Sequence, residues 1–391
     1  MTEVDKIVVV WQTVGVDKTL NLSTLRAALI KAGFNQSDLA AKLNVSREAV
    51  SKWFAGESLP KPDKLLRMGM LLGLSFEQLI DVPLDTAAPV VSFRKKAHRK
   101  TKDEHLDNAR ETGELLKRLV PYLPKQELTR PPTLKDPTDD YAYVQAVAAQ
   151  ARREMGLENK EVIDFKDLID KFNQLHAVII PVLWGEQKHH GNALNIHLPD
   201  SQTTWVFLNL DSNAVDFKFW MAHELGHSLA PELVNDAGED FAESFAQALL
   251  FPESHVVKLR ARLEGLSGIR ARVEHVVEEA RKHIISPYTI DRALAAYEQA
   301  HNLPRTDLGA SFMATVTIFT KGYKTITQAL LAKQPPEPAD YIAVARSRFG
   351  SPVFEGLAEF CKHEEGAEHY IQRVLWVSLA DAKALSGELG K

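Results

Sequence analysis

His223 and His227 stand four residues apart, with an acidic residue next to the first, in the run His223-Glu224-Leu225-Gly226-His227. In a helix this spacing stacks both imidazoles on one face, where a single metal ion can take a nitrogen from each. Glu224 falls about a quarter of a turn round from His223. It can hold a water beside the ion but is not placed as a third ligand. Metal, water and carboxylate base are together the apparatus for hydrolysing an amide bond. A pentapeptide gains meaning from its flanks. Thr203 to Leu210 reads as a strand rich in β-branched and aromatic residues. Asp211 or Ser212 can cap the helix that follows, and Phe219, Trp220 and Ala230 flank the histidines with apolar bulk. Glu239 to Phe251, stopped by Pro252, reads as a second helix. Its phase puts Glu239 and Glu243 on one stripe with Ala242, Ala246 and Leu250. Carboxylates on such a stripe are costly unless paired or bound to metal.

The pentapeptide resembles the zincin signature. With the spacing to Glu239 and the run Phe245-Ala246 into Leu249-Leu250-Phe251-Pro252, it resembles the ImmA/IrrE family of zinc metallopeptidases, over Tyr141 to Tyr297. The resemblance implies Zn²⁺ on His223, His227 and Glu239, with Glu224 as general base. The family's usual asparagine four residues after the third ligand is Glu243 here, a departure that puts a second carboxylate near the ion. Relatives of this family cut transcriptional repressors, so the resemblance implies a repressor-type protein, or the chain itself, as substrate.

A length of 391 residues suggests two or three domains, and 45% hydrophobic with 25% charged residues is ordinary for a soluble globular chain. The net charge of −5 excludes a uniformly basic nucleic-acid coat while leaving room for local basic regions. The single cysteine, Cys361, forms no intrachain disulfide. The opening Met1 to Lys6 has no signal pattern, and no run approaches a membrane span. These features predict a cytoplasmic protein with no membrane partner.

Leu22 to Ile80 reads as a five-helix set. Leu25 to Ala32 closes on Gly33, and Asn35 caps Gln36 to Leu43. Asn44 takes the tight turn, Ser46 caps Arg47 to Phe54, and Lys61 to Leu72 and Phe76 to Ile80 follow. Val50 and Trp53 face inward, which leaves Arg47, Glu48, Ser51 and Lys52 outward. Phe34 to Phe54 resembles the Cro/repressor (XRE) helix-turn-helix family. The resemblance implies a double-stranded DNA partner, with Gln36, Ser46, Arg47, Glu48, Ser51 and Lys52 at the interface. Eight basic against five acidic residues in this stretch suit phosphate contact.

Elsewhere, Lys6 to Val16 contains a β-branched run that predicts a short strand. The basic stretch Val90 to Lys102 reads as a solvated face, Asp103 to Val120 as a helix able to pair with another copy, and Pro121 to Thr138, with five prolines, as a linker. Tyr141 to Met155 and Val162 to Leu175 read as helices, and Ala177 to Leu183 as a strand whose proline favours an edge. Gly185 to Pro199 reads as a hairpin or loop that puts His189, His190 and His197 on its surface. From Glu253 onward the pattern is mostly helical.

The expected architecture is mainly α with a small β-sheet. It runs as an N-terminal strand or arm (1–21), a helix-turn-helix domain (22–82), a basic and proline-rich connecting region with a helix (83–138), a zincin-like α+β metallopeptidase domain (139–300) and a C-terminal helical region (301–391). The expected function is a transcription regulator with a zinc endopeptidase domain, able to form a homodimer. The alternative is a DNA-binding repressor whose metal domain is a sensor or scaffold without proteolysis.

Overall fold

The computed structural model describes residues 11–12, 19–20, 22–55, 58–74, 79–81, 89–92, 103–123, 133–158, 160–184, 193–233 and 235–391. It divides into two compact units: Val14–Ala87, and Met1–Thr13 together with Ala88–Lys391. Of the strand predicted over Lys6 to Val16, the described part is β1 (Trp11–Gln12).

In the smaller unit, β2 (Thr19–Leu20) pairs antiparallel with β3 (Ile80–Asp81), bracketing α1 (Leu22–Ala32), α2 (Gln36–Leu43), α3 (Arg47–Phe54) and α4 (Pro62–Leu72). Leu25, Leu39, Leu43, Val50 and Met68 are fully buried at its centre. The predicted fifth helix, Phe76 to Ile80, lies mostly outside the described residues, and its last residue is in β3 rather than in a helix. Gly33 has φ +70°, the left-handed conformation that ends α1 without a Cβ penalty.

The larger unit is built on a mixed four-stranded sheet in the order β4 (Val90–Ser92), β7 (Ala193–Leu198), β8 (Thr203–Asn209), β6 (Val178–Val182). β6 and β8 run parallel, and the other two pairs are antiparallel. Alternation sends Ile179, Val206 and Leu208 to one face and Val178, Ile180, Leu194, Ile196, Trp205 and Phe207 to the other. A sheet apolar on both faces needs helices on both. The first face is covered by α6 (Tyr141–Glu154), α7 (Phe165–Gln174), α8 (Ala214–Leu229) and α9 (Asn235–Leu250). Behind them stand α10 (Glu253–Glu264), α11 (Ile269–His283), α12 (Pro287–Ala300) and α13 (Phe312–Lys321).

The second face corrects two expectations. Helix α5 (Asp103–Leu119) spends Ala109, Leu116 and Leu119 on the sheet's second core, so these residues are not available to another copy. The region 301–391, expected to stand apart, covers the same face with α15 (Pro338–Phe349), α16 (Val353–His363), α17 (Ala367–Leu375) and α18 (Leu379–Leu389). It also closes the sheet's edge, because Tyr341 and Ser351 donate their hydroxyls to the carbonyls of Pro181 and Ile179 on β6. The connecting region 83–138 is also structured: the start of the basic stretch read as a solvated face forms β4 against β7, and the segment read as a linker supplies most of the short helical turn Val120–Tyr122 and β5 (Thr133–Leu134), which pairs with β1. Residues 93–102 and 124–132 lie outside the described residues.

Just before α14 (Ile326–Leu330), Lys324 accepts a hydrogen bond through its carbonyl from the amide of Ala214 (3.1 Å). Within α14 the amides of Ile326 and Thr327 donate to the carbonyls of Ser212 and Leu210. This fixes the start of α8. The cap itself is Asn213, whose Oδ1 accepts from the amide of Asp216 (3.0 Å), and not Asp211 or Ser212. Among the described residues, no helix is long and apolar enough to cross a membrane.

Candidate metal centre and helix-turn-helix face

Helix α8 is buried at every residue from Phe217 to Leu229. At Gly226 it lies so close to α9 that a side chain there has no room. A Cβ on Gly226 would stand 2.9 Å from Cα and 3.2 Å from Cβ of Ala242. The glycine of the pentapeptide and the alanine of the facing stripe therefore set the spacing between helices, and that spacing brings Glu239 to the histidines.

His223 Nε2 and His227 Nε2 are 3.2 Å apart. Glu239 presents Oε2 to His223 Nε2 at 3.5 Å and Oε1 to His227 Nε2 at 3.3 Å. Two donors bound tetrahedrally to one zinc ion sit about 3.3 Å from each other. The three residues are therefore spaced as the donors to one metal ion would be. Burial pushes the Glu239 carboxyl up, but the two imidazoles facing it outweigh that and hold the group at about 2. Burial lowers His227, favouring the neutral ring that a metal requires.

Glu224 is 3% exposed and its Oε2 has no hydrogen-bond partner. Burial, reinforced by the charge of Glu239, pushes its carboxyl well above the usual carboxylate range. Such a group is poised to exchange a proton. Glu243 faces a different atom: its Oε2 lies 3.9 Å from Nδ1 of His223, the ring nitrogen turned away from His227. At that distance it makes no hydrogen bond to the ring, and it does not share the three-donor focus.

Asn195, which sequence reasoning missed, donates Nδ2 to the carbonyl of Glu224 (3.3 Å) and to Ser228 Oγ (3.1 Å), pinning α8 to β7. The available signal was a lone amide in an apolar strand. His197, expected on a loop surface, is instead buried in β7 with Nδ1 3.1 Å from Thr204 Oγ1. His189 and His190 lie outside the described residues.

In the smaller unit, Asn35 Oδ1 accepts from the amides of Ser37 and Asp38, while Asp38 accepts from the amide of Asn35, a reciprocal cap on α2. Asn44 has φ +55° in the tight turn, and Ser46 Oγ accepts from the amide of Ala49 (3.1 Å) to start α3. Leu39, Ala40 and Leu43 of α2 and Val50, Trp53 and Phe54 of α3 are buried. Gln36, Ser46, Arg47, Glu48, Ser51 and Lys52 are all exposed. Hydrogen bonds from its own amide and from Ser46 hold the Glu48 carboxyl below the usual range, so this residue also shapes the start of the helix.

Residues 25–79 match the helix-turn-helix family model. The smaller unit is a helix-turn-helix domain. A 26 kDa repressor protein of Escherichia phage HK022 is 45% identical over 53 residues, which are 12% of this chain. The match spans 23% of that repressor's length. No solved structure matches the chain.

Proposed function

We propose that the chain is a DNA-binding transcription regulator that carries a zinc-dependent endopeptidase. DNA binding rests on the helix-turn-helix match, the similarity to a phage repressor and the exposed polar face of α3. The peptidase reading rests on one observation: three donors, from His223, His227 and Glu239, converge beside the buried carboxylate of Glu224. A bound zinc ion would polarise the scissile carbonyl and acidify a water. Glu224 takes the attacking water's proton and passes it to the leaving nitrogen. Glu239 and the two histidines hold the ion, and Asn195 keeps the Glu224 turn of α8 in register with β7. The substrate class is a repressor-type protein, in trans or the chain itself. A scaffold without turnover would gain nothing from burying a carboxyl whose Oε2 has no hydrogen-bond partner, which is costly without chemistry to do.

The test is Glu224→Gln, which keeps size and hydrogen-bonding but accepts no proton. Zinc content and DNA affinity stay at wild-type levels, while chelator-sensitive cleavage of a repressor substrate falls about a hundredfold or more. Cleavage at the wild-type rate removes Glu224 as base. A zinc-loaded wild type that cuts no repressor, itself included, favours the scaffold.

A further inference from the structure

The larger unit holds a second group of convergent metal donors, away from the first in sequence. Glu161 lies in the turn before α7, His255 on α10, and His283 is the last residue of α11. One donor atom from each lies within 4.8 Å of the others. His283 is 1% exposed, yet neither of its ring nitrogens has a hydrogen-bond partner, and Nδ1 of His255 has none either. A core that merely stacked these rings would leave three buried polar nitrogens unsatisfied, which native interiors rarely do. The rings meet at 83° with centroids 5.2 Å apart, and Phe251 packs against both. A carboxylate of Glu279 stands 3.6 Å from His283 Nε2, beyond hydrogen-bond reach but near enough to serve an ion.

We propose that Glu161, His255 and His283 form a second metal site, taking a divalent first-row ion such as zinc. Two imidazoles and one carboxylate are a borderline-soft donor set that suits zinc rather than calcium or magnesium. Burial lowers both histidines to about 4, so their lone pairs are free at neutral pH. The ion would tie three chain segments that nothing local in the sequence brings together. It would sit behind the end of α9 and beside α8, whose buried Lys218 donates to the carbonyl of His283 (2.5 Å). Lys282 holds Glu161 at 2.6 Å and competes for that carboxylate. Both side chains are about half exposed, at 44% and 50%, so the pair can open and let Glu161 turn to an ion.

The experiment uses the full chain, stripped with a chelator, reloaded with zinc, desalted and measured for metal content. Wild type is expected to retain two ions and His223→Ala/His227→Ala to retain one. Adding Glu161→Ala and His255→Ala, which leave buried His283 untouched, removes the remaining ion and abolishes its stabilisation of thermal unfolding. In the His223→Ala/His227→Ala background, Lys282→Met raises zinc affinity by removing the competitor. A natively folded His223→Ala/His227→Ala variant with no zinc overturns the proposal. So does a retained ion that survives the Glu161 and His255 changes, or zinc affinity indifferent to Lys282→Met should the quadruple variant fail to fold. A wild type with one ion, kept without His223 and His227 and lost without Glu161 and His255, upholds this site and refutes the first.

Discussion

Gly226→Ala tests whether helix spacing, and not ligand identity alone, builds the first centre. The added methyl would meet Ala242 Cα at 2.9 Å, Ala242 Cβ at 3.2 Å and Phe245 Cδ1 at 3.2 Å. Ordinary carbon contacts are about 3.5–4.0 Å, so α9 must retreat by roughly 0.5 Å or more. Overpacking of this kind costs about 1–3 kcal/mol, and alanine's better helix propensity returns about 1 kcal/mol. Net destabilisation is therefore small, between about 0 and 2 kcal/mol. The centre is less forgiving. Glu239 lies one turn before Ala242 on the helix that moves, and metal–ligand distances tolerate about 0.2 Å. Zinc affinity should fall about 10–100-fold, in the range of lost supporting contacts.

Zinc affinity comes from competition with a chromogenic chelator, and stability from urea unfolding of the same preparations. Ala242→Gly in the Gly226→Ala background removes the Cβ contact but not the shorter one to Cα, so it should restore part of the affinity and no more. Wild-type zinc affinity in Gly226→Ala would refute the reasoning. Loss of affinity in proportion to a global loss of fold would refute it equally.

Other perturbations separate the remaining parts. Arg47→Ala/Lys52→Ala should weaken specific DNA binding by about 1–3 kcal/mol for each lost base contact, read by a shift assay on the protein's own promoter, with zinc content unchanged. Glu239→Ala should lose zinc from the first centre, while Glu243→Ala keeps it with weakened affinity; the reverse order in metal titration would exchange their roles. Burial holds the Lys218 ammonium down to about 8. The folded chain therefore binds that proton less tightly than the unfolded one, and stability should climb between about pH 8 and 10, by up to about 3 kcal/mol. Above about pH 10 the slope reverses, because burial raises the phenols of Tyr141, Tyr341 and Tyr370. Urea unfolding across that range should lose the climb in Lys218→Met.

Local chemistry was legible in the sequence and remote packing was not. Asn35, Asn44 and Ser46 act on amides within three residues or on their own φ, so the helix-turn-helix could be read from neighbours alone. The pairing of α8 with α9 was legible because Glu239 shares a stripe with small residues, one of which, Ala242, meets Gly226. The C-terminal helices gave no such sign. An amphipathic helix states that it needs an apolar partner but not which, and only the second apolar face of the sheet identifies it. Asn213 won the cap over Asp211 and Ser212 because α14 holds the main chain of Leu210 and Ser212. Glu161, His255 and His283 have no shared period, so no spacing rule could have grouped them.

Glu239 and Glu243 carry the same argument to the scale of one ring. Helical phase puts both on one stripe of α9 and so treats them as equals. They are separated by height: one turn of helix, about 5.4 Å, is more than an imidazole can span with a single nitrogen. His223 therefore meets them with opposite nitrogens, Nε2 toward Glu239 and Nδ1 toward Glu243. Only Nε2 is shared with the focus at His227. At 3.9 Å Glu243 makes no hydrogen bond to Nδ1, but closing to one would fix the tautomer that leaves Nε2 free to bind a metal and would make the ring a stronger donor. Glu243 thus stands beside the three-donor focus without entering it.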